Sequence, residues 1–388
     1  MDISKRSFII VTHQLVYGAP QALRDFLEQR GASRVVFIAH PLQSKEEASF
    51  VEVSSSGAPK EFHLCGEQTR YHTLNYALHF FRSLYLSWRY ARHDEIYFGI
   101  NPLNGLAGIL LKKIGRVKRV IFYSIDFTPE RFSSRIINNA YHAIDRFCAN
   151  SADEVWSVSP EISRGRELLH GNGAFARSRQ YIVPIGIWFG RVKRLPISQV
   201  KRNQLLFVGH LLEKQGVQLV IQAIPSILTK IPDFRLMIIG GGEFEPHLRN
   251  LVATLGLATN VEFTGWVFER PVLDDLMSDS AAAIAPYLCG LSSFTKFADP
   301  TKLKDYLSAG LPIIMTDVPF NARELERRGC AVVVEESVSE IAAAVVAILS
   351  DHCLLERMRA NAVKYIRDFD WENIFDKNIG RIMKLDYE

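Results

Sequence analysis

The chemistry of this chain concentrates at Asp299-Pro300-Thr301-Lys302 and the residues just after it. An acid suited to helix capping precedes a proline suited to the first turn, and Gly310 and Pro312 close the element. Residues 300–309 are therefore expected as a short helix with Asp299 as its cap. A helix N-terminus presents free N–H groups and a partial positive charge, which together attract phosphate. Thr301 and Lys302 open this helix, and Lys302 adds a full charge. Asp305 follows three residues later, on about the same face, where a carboxylate can accept hydrogen bonds from vicinal sugar hydroxyls. A cation for a diphosphate and an acid for ribose describe a nucleotide-diphosphate site. The plainer alternative is a capped helix with a surface Lys–Asp pair.

Two further stretches precede it in register. Phe207-Val208-Gly209-His210 ends a β run, and Lys214 and Gln215 follow before Gly216. Open α/β sheets bind ligands at the carboxyl ends of their strands, so His210 and Lys214 are candidate phosphate contacts, against a turn histidine and a solvated lysine. Leu236-Met237-Ile238-Ile239 leads into Gly240-Gly241-Gly242, where glycine suits a close turn rather than a ligand. Val261-Glu262-Phe263-Thr264-Gly265 leads into Trp266-Val267. Together with the 299–312 stretch these resemble, in order, the donor-domain motifs of the GT-B glycosyltransferases of group 1, over residues 204–320. The resemblance implies two Rossmann-like domains and a UDP- or GDP-sugar as co-substrate with no other cofactor, and no metal is implied, since the helix dipole and Lys302 can neutralise the leaving diphosphate. It also implies base recognition near Trp266 and Val267, largely through backbone groups. Three departures stand out. The family usually has arginine where His210 stands and lysine where Gln215 stands. Retaining members carry a first glutamate where this chain has Phe297.

The first half offers a second set. Val120-Ile121-Phe122-Tyr123 is an apolar strand run ending near Asp126. A carboxylate there can act as general base toward an acceptor hydroxyl, or cap a helix starting near Thr128. The region resembles inverting exopolysaccharide glucuronosyltransferases, which place an aspartate after such a strand. His13 ends the first strand and is the next candidate base. Gly18 and Ala19 lie in a loop resembling the family's phosphate- or acceptor-facing loop, or form a plain turn before a helix. Residues 71–92 interleave Tyr71, Tyr76, Phe80, Phe81, Tyr85, Trp88 and Tyr90 with Arg82, Arg89 and Arg92. This composition suits either a membrane interface or a core helix with a basic end. The expected acceptor is a glycan or lipid-linked sugar, the latter on the membrane reading.

The elements that must position these residues alternate strand and helix through 388 residues, an α/β pattern of two doubly wound parallel-sheet domains facing a cleft. The expected boundaries are 1–190 for acceptor binding, 191–203 as linker, 204–365 for the nucleotide sugar, and 366–388 as a helix crossing back to the first domain. Net charge is +4 with 23% charged residues, too little to argue for nucleic acid. Five scattered cysteines without a CxxC pair fit reduced thiols in the cytoplasm, at the inner face of a membrane if the aromatic helix docks there. The rival functions are a sugar-nucleotide epimerase of the same architecture and an inactive nucleotide-sugar-binding protein.

Overall fold

Ser7–Thr12 (β1) and Arg34–Ala39 (β2) are buried at every position, as parallel strands covered on both faces must be. Between them lies Ala19–Gln29 (α1). The computed structural model describes residues 3–13, 16–41, 48–56, 58, 60–66, 72–93, 95–171, 179–290 and 294–384. Its first unit comprises Met1–Ile185 and Trp371–Glu388, its second Gly186–Asp370.

In the first unit, Phe50–Ser55 (β3) and Glu61–Leu64 (β4) follow, then His72–Tyr90 (α2), Ile96–Ile100 (β5), Pro102–Lys113 (α3) and Arg119–Ser124 (β6). Arg135–Ser151 (α4), Glu154–Ser157 (β7), Pro160–His170 (α5) and Gln180–Ile182 (β8) complete it. The sheet order is β4-β3-β2-β1-β5-β6-β7-β8. β3 and β4 pair antiparallel, so this edge departs from the wholly parallel sheet expected. β4 is exposed throughout, which leaves no apolar run to mark it in the sequence. No helix starts at Thr128; α4 begins at Arg135 with Ser134 at its cap.

The second unit contains Lys201–Val208 (β9), Val217–Leu228 (α6), Arg235–Ile239 (β10), Glu245–Thr254 (α7), Val261–Gly265 (β11), Arg270–Ser278 (α8) and Ser280–Ala285 (β12). Thr301–Ser308 (α9), Ile313–Thr316 (β13), Ala322–Arg327 (α10), Ala331–Val334 (β14), Val338–Ser350 (α11) and His352–Ile366 (α12) follow. Its six strands run in the order β11-β10-β9-β12-β13-β14, all parallel. The strand order reverses at β9, and in the first sheet at β1, which lies between β2 and β5. Ligands of open α/β sheets bind at the strand ends flanking such a reversal. Short 3-10 turns at Phe189–Arg191 and Ile197–Gln199 lead into β9, which starts at Lys201, inside the stretch expected as linker.

Trp371–Lys384 (α13) belongs to the first unit. Its Phe375 ring lies 5.4 Å from Phe26 of α1, and Arg381 pairs with the buried Glu154 at 2.7 Å. Among the described residues no single helix is long and apolar enough to cross a membrane. Val338–Ser350 and His352–Phe369 reach that measure only as a pair bent by 96°, and Ile341, Val345, Ile348 and Leu355 in it are buried in the second unit's core.

Candidate functional site

In the second unit the residues gather where β9 and β12 end. Gly216 takes a left-handed conformation, φ 73°, just before α6. A Cβ there would come 1.7 Å from the carbonyl oxygen of Pro286, so only glycine lets this loop lie against the end of β12. The close approach places Gln215 beside α9. There Lys302 Nζ donates to Gln215 Oε1 at 2.7 Å. The ammonium also lies over the rings of Phe207, at 4.3 Å, and Tyr287, at 5.2 Å.

Among the described residues no carboxylate pairs with Lys302. Burial without a counter-charge lowers its pKa to about 7. Gln215, noted as a departure from the family, is thus the neutral partner of this lysine. A second lysine at that position would have set two cations against each other. Tyr306 on the same helix fixes its distance to β9, since the Val208 N–H donates to the tyrosine oxygen at 2.7 Å.

Two expectations about this helix are corrected. Asp299 does not cap it: Pro300 occupies the cap position and Thr301, which is exposed, is the first helical residue. Asp299 is instead buried and paired with the buried Lys304 at 3.5 Å, with Lys304 also over the Phe369 ring. Nor is Asp305 a solitary acceptor. Its Oδ1 pairs with Arg270 at 2.8 Å, and Arg270 pairs in turn with Asp274 at 2.8 Å. Arg270 opens α8 and carries no signal in the sequence. Any ribose contact at Asp305 would share the carboxylate with it.

The remaining donor candidates lie on one rim. His210 is exposed, its ring 5.8 Å from Trp266, and Trp266 stacks on Phe268 at 6.4 Å. Both are open to solvent, Trp266 by 53% and Phe268 by 84%. Val267 is half-buried and packs against the core. Lys214 is half-buried, and burial lowers its pKa. The three glycines serve packing: a Cβ on Gly240, φ 132°, would lie 2.0 Å from the Gly209 oxygen. Phe297 is half-buried in the turn before α9.

The first unit brings His13, Asp126 and Arg131 to the ends of β1 and β6. Asp126 Oδ2 accepts two N–H groups from Arg131, the longer at 3.0 Å, while Oδ1 is buried and has no hydrogen-bond partner among the described residues. Arg131 lies over the Tyr141 ring, and its pKa is raised, burial notwithstanding, by Asp126 and other neighbours. His13 is buried, its ring 6.0 Å from Tyr76. Gly18 precedes α1, where its N–H donates to Gln21 Oε1 at 3.0 Å, and Ala19 is buried in the first turn. These two therefore cap a helix and present backbone only. Tyr76 and Tyr141 also line an apolar cavity of about 300 Å³ between α2, α3 and α4, with Phe80, Phe81, Leu106 and Phe132. Of the aromatic–basic run, Tyr71 lies outside the described residues; Phe81, Tyr85 and Trp88 are exposed. Arg131 and the cavity depend on where α4 packs, which the sequence pattern does not convey.

Comparison with known proteins bears on this geometry. A family model described as glycosyl transferases group 1 matches residues 202–351, the second unit's sheet and its helices through α11. A solved sucrose-phosphate synthase from Thermosynechococcus elongatus superposes with a TM-score of 0.72 at 15% identity, covering 99% of each chain. The two units have the GT-B glycosyltransferase fold. The Anabaena protein HepE, solved in complex with UDP, superposes with a TM-score of 0.64 at 13% identity over 98% of this chain and 99% of its own. In sequence, the phosphatidyl-myo-inositol mannosyltransferase of Mycobacterium leprae is 29% identical over 43% of this chain and 42% of its own length. The chain spans about half the length of the curated relatives it matches. The resemblance stated from the motifs, and the fold it implied, are borne out; the group 1 match lies where those motifs lie.

Proposed function

We propose that the chain is a glycosyltransferase that moves a sugar from a UDP- or GDP-sugar, held by the second unit, to an acceptor hydroxyl held by the first. The observation that carries this is Lys302: a buried ammonium at the strand-order reversal, with a neutral side chain and two aromatic rings around it and, among the described residues, no carboxylate paired with it. A leaving diphosphate supplies the missing charge, and a fixed cation in a desolvated site stabilises that leaving group as it departs. The stacked Trp266 and Phe268 offer a face to the base, and Asp305 with Arg270 a polar edge to the ribose. Asp126 is the proposed general base, with Oδ1 taking the acceptor proton and Arg131 fixing the carboxylate through Oδ2.

The acceptor in this reading is an amphiphile of polysaccharide, lipopolysaccharide or glycolipid assembly. The apolar cavity lined by Tyr141, whose ring Arg131 covers, suits a hydrocarbon chain, and exposed Phe81, Tyr85 and Trp88 alongside Arg89 suit the cytoplasmic face of an anionic membrane. The relative from Mycobacterium leprae is named for mannosylating a lipid, which supports the same class. A panel of UDP- and GDP-sugars scored by thermal shift, on wild type and Lys302→Met, tests the donor half. Stabilisation by one sugar nucleotide that disappears in the variant supports it; equal stabilisation of both proteins removes Lys302 from the site. Binding without transfer to any acceptor would favour the rival of an inactive binder.

A further inference from the structure

His13 is one end of a buried hydrogen-bonded wire, and the direction of every bond in it can be worked out. Asn104 Nδ2 lies 2.8 Å from the Ile100 carbonyl oxygen and 3.1 Å from His13 Nδ1. The carbonyl can only accept, so the amide must turn its NH₂ that way. An amide nitrogen has no lone pair to give, so His13 Nδ1 is the acceptor of the second bond. Asn104 Oδ1 then accepts from Ser83 Oγ at 3.1 Å. With its hydrogen committed there, Ser83 accepts from His40 Nε2 at 2.9 Å. His40 Nδ1 in turn accepts from Ser49 Oγ at 3.0 Å, and Ser49 accepts from Arg82 at 3.4 Å. His40, Ser49, Ser83 and Asn104 are all fully buried.

A neutral imidazole that accepts at Nδ1 carries its hydrogen on Nε2. His13 Nε2 is buried and has no hydrogen-bond partner among the described residues. An N–H donor in that position, withdrawn from water, costs free energy until an acceptor reaches it.

We propose that His13 is a positioning residue that donates its Nε2 hydrogen to an oxygen of the acceptor sugar, its tautomer imposed by the Ser49–His40–Ser83–Asn104 wire. This rests on the acceptor reading of the first unit. It also removes His13 as a candidate base, since one ring nitrogen is occupied and the other already carries a hydrogen. The groups that face the ring agree with a neutral imidazole. Burial disfavours a second proton most, His79 from α2 and Arg131 add to it, and together they lower the pKa to about 3. His40, which follows β2, lies 5.7 Å away and is itself held neutral. The carboxylate of Asp126 is engaged by Arg131. Asn104 opens the α3 side of the strand-order reversal and His13 the β1 side, so the wire ties together the two strand ends that flank it.

The test is nitrogen–proton correlation NMR of the histidine rings in the full chain. His13 is expected as the neutral Nε2–H tautomer throughout pH 5–8; a ring with its hydrogen on Nδ1, or one that titrates in that window, overturns the wire. The probe for the second part is octyl β-D-glucoside below its micelle concentration, a sugar with a short hydrocarbon tail. It is expected to move the His13 Nε2–H signal together with ring signals of Tyr76 and Phe80. Binding that moves those rings and leaves His13 still overturns the donor role. No binding at the cavity overturns the amphiphile reading, and the sugar contact with it, while the tautomer result stands apart. His13→Gln keeps an N–H near the Nε2 position and should bind the probe within about threefold of wild type. His13→Leu should weaken it about five- to tenfold, the loss of one neutral hydrogen bond. Equal weakening by both variants would reduce His13 to a packing residue.

Discussion

Raising the pH should weaken sugar-nucleotide binding through Lys302. In the free protein its pKa stands near 7 because burial disfavours the charged form. A diphosphate against the ammonium favours that form, so the pKa rises on binding and a proton is taken up. The sign follows: affinity is fullest below the free-state value and falls as pH climbs through it toward the bound-state value. With a free-state value near 7 and a bound-state value above 9, the cost of charging the lysine grows between pH 7 and pH 9 by a factor of about fifty, roughly 2 kcal/mol. A UDP- or GDP-sugar carries no phosphate that titrates in this window, and its base begins to lose a proton only at the upper end, so the ligand's own charge is constant over most of it. Calorimetry in buffers of different ionisation enthalpy reads both the affinity and the proton uptake. Lys302→Arg stays charged throughout and should flatten the slope. A wild-type affinity that is level from pH 7 to pH 9, with no proton uptake, would refute the reasoning and leave Lys302 already charged or distant from phosphate.

Other consequences follow from the same geometry. Asp126→Asn should keep sugar-nucleotide affinity, since the donor candidates lie in the other unit, and lose about 10²–10⁴-fold in turnover; near wild-type turnover would leave the aspartate as Arg131's partner alone. Gly216→Ala, which sets a Cβ against the Pro286 carbonyl at positive φ, should lower stability by roughly 2–4 kcal/mol in urea unfolding; an unchanged midpoint would show that the loop stands off from β12. Arg270→Ala frees Asp305 and should change nucleoside affinity while sparing inorganic diphosphate; calorimetry with both ligands separates the two. Liposomes rich in anionic lipid should sediment wild type at low salt, and a Trp88→Ala, Arg89→Glu double variant less; wild type remaining in the supernatant would end the membrane reading.

Much of the second unit is legible in the sequence because its strands are buried runs bounded by glycine and proline. The run Leu236–Ile239 is a strand that starts one residue earlier, at Arg235, and the 300–309 helix is read within one residue at each end. What spacing does not supply is partnership. Asp299 before Pro300 has the form of a cap, yet it turns inward to Lys304, because two buried charges must find each other before either can serve a surface role. Asp305 and Arg270 are joined by tertiary packing across distant positions, which no local pattern encodes. In the first unit β4 leaves little trace, because an exposed edge strand needs no apolar run, and β3 beside it alternates buried with half-buried residues. The wire from Ser49 to His13 draws on four elements and their connections; each residue alone is an unremarkable polar side chain, and only the hydrogen-bond directions give it meaning.

The most direct measurement is transfer itself, followed by mass spectrometry, with the UDP- or GDP-sugar that stabilises the protein and a membrane lipid extract as the source of acceptor. A glycosylated product is expected that forms with wild type, falls by orders of magnitude with Asp126→Asn although the donor still binds, and falls together with donor binding in Lys302→Met. A product whose yield is untouched by both substitutions would contradict this expectation.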